Sequence, residues 1–115
     1  MQLQKIYFML MAQDMDRAIA FYETTFGLSR HFASPFWSEL GWRGTVVALH
    51  GGHDGGRLVS GLGLEVDDLE AACAAVVAAG GVVEQGPQDR PGEPIRLATA
   101  RDPEGNVFSI VQPVG

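Results

Sequence analysis

The side chains that could do chemistry in this chain are few. Its 115 residues include three histidines, His31, His50 and His53, and a single cysteine, Cys73. One cysteine excludes a disulfide framework and a thiolate metal cluster. Cys73 falls on the apolar stripe of a helix-like stretch, where a thiol acts as a small hydrophobe. No Gly-x-Ser-x-Gly turn, phosphate loop or dinucleotide fingerprint occurs. The glycines of "HGGHDGG" lack the strand–loop–helix setting that cradles a phosphate. His31 and His53 have no partner at ligand spacing, and His50 with the distant Glu65 does not make a metal site. What remains is Tyr7, Glu39, His50, Arg96 and Ser109, set among Met9, Trp37 and other apolar residues of strand-like runs. Sparse polar points on an apolar lining are the chemistry of a small-molecule site. Tryptophan faces stack on planar or cationic groups, and methionine adapts to varied shapes.

The elements that must position these residues are written twice. "YFMLMAQDMDRAIAFYETTFGL" (7–28) and "GLGLEVDDLEAACAAVVAAGGV" (61–82) superpose without a gap at an offset of 54. Each is an apolar run, an aspartate, a helical pattern and a glycine. Asp14 and Asp68 stand where a carboxylate oxygen caps the first turn. Met15, Ala18, Ile19, Tyr22 and Phe26 keep helical spacing, as do Leu69, Ala72, Cys73 and Val76. Gly27 and Gly81 are expected in the left-handed conformation that ends each helix. Strand-like runs follow: "SRHFAS", "FWSELGW" and "TVVALH", then "VVEQG", "IRLATA" and "NVFSIVQ". "GPQDRPGEP" (86–94) reads as a loop.

The expected fold is therefore α+β: two tandem βαβββ modules forming a curled, barrel-like mixed sheet with helices on the outside. All 115 residues make one domain, with module one at 1–50, a glycine-rich linker at 51–57 and module two at 58–115. Strand alternation points Tyr7, Met9 and Met11 to one face, and Ile6, Phe8 and Leu10 toward the helix. Trp37 and Glu39 share a face, as do Val107, Ser109 and Val111. A net charge of −6 disfavours nucleic acid and anionic membranes as partners. The opening "KIYFMLMA" is too short to span a bilayer and carries no cleavage signal, so a cytoplasmic location is expected.

The element order, with "DMDRAIAFYETTFGL" after the first strand and "DPEGNVFSIVQ" at the end, resembles the vicinal oxygen chelate superfamily. That group includes glyoxalase I, extradiol dioxygenases, methylmalonyl-CoA epimerase and the bleomycin and fosfomycin resistance proteins. The resemblance spans essentially the whole chain and implies a cavity or metal between the modules, and a homodimer. It also implies four ligand positions, which here carry Tyr7, Ala48, Gly61 and Ser109. None is a good donor for a divalent ion near neutral pH, tyrosine ionising only at about pH 10. The expectation is thus a cofactor-free protein without a metal, binding an aromatic or cationic small molecule through Tyr7, Met9, Trp37, Glu39, His50, Arg96 and Ser109, as drug-sequestering relatives do. The alternative is a lyase, isomerase or dioxygenase that uses a shifted metal site or metal-free acid/base chemistry.

Overall fold

Ten elements run in the order β1 (Phe8–Met11), α1 (Met15–Phe26), β2 (Ser29–Phe32), β3 (Trp37–Trp42), β4 (Thr45–His50), β5 (Leu58–Glu65), α2 (Leu69–Ala78), β6 (Val82–Asp89), β7 (Ile95–Arg101) and β8 (Asn106–Pro113). This is a computed structural model, and it describes residues 1–114. Two four-stranded mixed sheets result, ordered β1-β4-β3-β2 and β5-β8-β7-β6. In each, the module's first and last strands pair in parallel and its remaining neighbours pair antiparallel. The βαβββ repeat is thus present twice. Among the described residues no strand ladder joins the two sheets, so the curl stops short of a closed barrel. No helix among them is long and apolar enough to cross a membrane.

The caps explain where the helices begin. Asp14 and Asp68 have extended backbones and accept from the amides of Arg17 (3.1 Å) and Ala71 (3.0 Å). Gly27 ends α1 with φ +72, as expected. In α2 the positive φ falls on Gly80 (+94) rather than Gly81. That helix stops two residues earlier in the repeat register, and the Gly80 and Gly81 amides close onto the Val77 and Val76 carbonyls. Gly81 is needed for space instead: a Cβ there would lie 2.7 Å from Val76 Cγ1 and 2.9 Å from the Arg101 carbonyl oxygen.

One core serves both modules. Leu10, Leu40 and Leu49 of the first sheet, Ala98, Phe108 and Ile110 of the second, and Ile19, Tyr22, Leu69 and Val76 of the helices form a single buried cluster. Phe21 joins it, although it lies off the expected stripe. It reaches the second module, with its ring centroid 6.3 Å from that of Phe108. Helix α1 therefore buries two faces, one on its own sheet and one on the other module. Two further expectations need correction. Ile6 does not pack on the helix; it precedes β1 and is 77% exposed. Strand β6 runs on through Gly86 and Pro87 to Asp89, so the loop is only residues 90–94. The proline is tolerated because β6 is a sheet edge with irregular register.

The turn at residues 102–105 locks the modules together. Buried Glu104 accepts from the Gln13 and Asp14 amides (2.9 and 2.8 Å) and from Arg17 Nε (2.7 Å), all at the start of α1. Asn106 clasps both the amide and the carbonyl of Met11. Asp102 accepts from the Glu104 and Asn106 amides and from the Tyr22 hydroxyl (2.5 Å). Burial pushes the Asp102 carboxyl up, and the bonds from Tyr22 and Asn106 oppose that. Burial, reinforced by the Asp102 charge, holds the Tyr22 phenol well above its usual value. Gly105 is packed so closely that a Cβ would lie 2.3 Å from the carbonyl oxygen of Gly56 in the inter-module segment.

Candidate functional site

The first sheet presents Tyr7, Met9, Trp37, Glu39 and His50 on the face away from α1. Strand register fixes this: β3 aligns Trp37 with His50 and Glu39 with Ala48, and β1 aligns Met9 with that same Ala48. The Tyr7 ring meets Trp37 edge-on at 5.4 Å, and Trp37 meets His50 edge-on at 6.3 Å. The Trp37 indole N–H donates to Glu39 Oε2 at 2.9 Å, and the Lys5 ammonium donates to Oε1. These bonds, Lys5 first and then Trp37, lower the Glu39 carboxyl pKa, so it is anionic near neutral pH. Tyr7 and Met9 remain 48% and 42% exposed, so apolar surface faces solvent around the carboxylate.

Two members of this group were not legible from residue spacing. Lys5 lies outside any element. Residue spacing gives His31 no partner, yet its ring covers Gly41, where a Cβ would sit 2.1 Å from Cε1. It is close enough to Glu39 to help lower that carboxyl. The irregularity between Arg30 and Phe32 in the β2–β3 ladder accompanies this placement. The bare Gly41 opposite β2 was the available signal.

Ser109 and Arg96 lie elsewhere. Half-buried Ser109 belongs to the second sheet, in register with Thr99 and Gly63, and shares no hydrogen bond with the Tyr7 group. Arg96 has the opposite parity on β7. It faces α2 and chelates Glu70 at 2.6 and 3.1 Å, with Asp89 3.5 Å away. Nor do the expected residues line an apolar cavity of about 470 Å³ between the modules. Its walls are Tyr22, Phe26, Trp42, Val47, Leu62 and Leu64, with Glu65 as its carboxylate.

The donor set does not fit a divalent ion. Ala48 carries only a methyl group and Gly61 only a hydrogen, so neither has a ligating side chain to offer. Among the described residues no three His, Cys, Asp or Glu side chains converge on a point that could hold a metal. What the arrangement can do is hold an organic group against aromatic rings with a fixed anion beside them.

Comparison with known proteins agrees with this architecture. The family profile described as the Glyoxalase/Bleomycin resistance protein/Dioxygenase superfamily matches residues 6–110. A probable lactoylglutathione lyase of Vibrio cholerae is 25% identical, covering 93% of this chain and 88% of that protein. A fosfomycin resistance protein of Listeria monocytogenes superposes with a TM-score of 0.80 at 13% identity, covering 99% of this chain and 96% of that one. A family enzyme from Burkholderia phytofirmans superposes with a TM-score of 0.77 at 22% identity, covering 94% and 97%.

Proposed function

The chain belongs to the glyoxalase/bleomycin resistance protein/dioxygenase superfamily, and from that premise we propose that it binds a small aromatic or cationic organic molecule without using a metal. The observation that supports this most directly is the Tyr7–Trp37–His50 row beside the Glu39 carboxylate. A planar ligand laid on Trp37 would displace ordered water from ring surface, and a positive charge on it would meet Glu39 with the indole N–H still in place. Binding without turnover, as in drug sequestration, needs nothing more. The same reading includes a homodimer, in which the exposed Phe32 and Phe36 would be covered; sedimentation velocity measures it. A thermal-shift screen of aromatic amines, with element analysis of the purified protein, tests the main proposal. Stabilisation by such compounds at negligible metal content is expected. Stoichiometric metal lost along with an activity on chelation would refute it.

A second reading, a lyase or isomerase, draws support from the named Vibrio relative. In this chain Tyr7 or His50 would move the proton, since both border the open face beside Trp37. Turnover of a glutathione hemithioacetal that survives chelation and disappears in Tyr7→Phe and His50→Ala would favour it over binding alone.

A further inference from the structure

Residues 1–7 precede β1 without regular structure, and most of their side chains stand in solvent. Lys5 differs from its neighbours because its ammonium is seated on Glu39. Lys5, Tyr7 and Met9 alternate onto one side of the chain as it enters β1, which carries the lysine to the Tyr7–Trp37 corner. Glu39 is held for that role. Its Oε2 is fixed by the Trp37 indole, Oε1 is left to the ammonium, and its side chain is only 19% exposed. The seat is therefore an oriented carboxylate beside two aromatic rings, and in this structure it already holds an alkylammonium.

We infer that Lys5 is a built-in occupant of an ammonium seat formed by Glu39, Trp37 and Tyr7, and that the ligand of this face is an organic amine that displaces it. The inference rests on the reading of this face as a ligand site and specifies what that ligand must carry. Displacement costs the fold little. Lys5 is 44% exposed in its side chain, the segment before β1 joins neither sheet, and exposed ion pairs are weak and exchangeable. A tethered lysine nonetheless competes at high effective concentration, so the free face is partly self-blocked. The device favours ligands whose ammonium comes with a ring able to stack on Trp37, and it discriminates against small inorganic cations.

The test titrates phenethylammonium and its neutral analogue phenethyl alcohol into the protein, following Trp37 fluorescence in a Trp42→Phe background. Lys5→Ala should bind the amine about twofold to fivefold more tightly and leave the alcohol unchanged. Glu39→Gln should lose the preference for amine over alcohol, with circular dichroism confirming that both variants fold. Equal amine affinity in wild type and Lys5→Ala, with the alcohol still bound, would overturn the lysine's role and leave the small-molecule reading standing. Binding of neither probe to any variant, together with an empty thermal-shift screen, would overturn both.

Discussion

The β3–β4 connection of the first module is Arg43–Gly44, exposed, with the Arg43 guanidinium 4.5 Å over the Trp42 ring. Its counterpart in the second module is Asp102–Gly105, in which Asp102, Glu104 and Gly105 are buried and bind the start of α1 and the inter-module segment. The outer faces differ as well. The first sheet carries Tyr7, Trp37, Glu39 and His50, whereas the second offers Gly63, Thr99 and Ser109 at its centre. One scaffold thus occurs twice in the chain. In one copy the turn locks the modules together, and in the other the sheet carries the aromatic rings and the oriented charge.

That division can be broken at several points. Phe108 bridges the copies, its centroid 5.9 to 6.3 Å from those of Phe21, Tyr22 and Phe26. Phe108→Ala should cost about 3–5 kcal/mol in urea unfolding. Glu104→Ala strands the Gln13 and Asp14 amides and should cost about 3 kcal/mol by the same measurement. Tyr22→Phe removes a bond to Asp102 and should cost about 2 kcal/mol. It also carries a pH signature. The folded phenol keeps its proton where the unfolded chain, ionising near pH 10, releases it, so wild-type stability falls as pH rises past about 10. The Tyr22→Phe variant should show a shallower alkaline decline in melting temperature. Arg43→Asn, at the non-glycine position with φ +47, should change stability by no more than about 0.5 kcal/mol. If Arg43→Asn instead matched Glu104→Ala, the contrast between the two turns would be wrong.

Much of the fold was written in local chemistry. Asp14 and Asp68 cap because a short carboxylate after an apolar run has one good use, and the period of each helix repeats at fixed offset. The shared face of Trp37 and Glu39 followed from strand alternation, and the register of β3 on β4 then set His50 opposite Trp37. What spacing could not carry was long-range. Arg96 is turned toward α2 by one step of parity and held there by Glu70, a residue 26 positions away. Phe21 is off the stripe because α1 has two neighbours, which an amphipathic pattern cannot announce. Lys5 and His31 reach Glu39 from outside the regular pairing, where no periodicity applies.

The contact between Gly105 and Gly56 has a dynamic consequence. Residues 51–57 have the composition of a hinge, yet the Gly51 amide is bonded to Phe36, the His53 amide to Ala12, and the Gly56 carbonyl lies against the last turn. A segment stitched at three places does not swing. On the proposed reading, a guest at the aromatic face then enters by displacing Lys5 and the unpaired residues around it, with no opening of the inter-module segment required. Limited proteolysis with a protease of broad specificity should accordingly cut within the exposed residues 1–7, which join no strand, before it cuts residues 51–57.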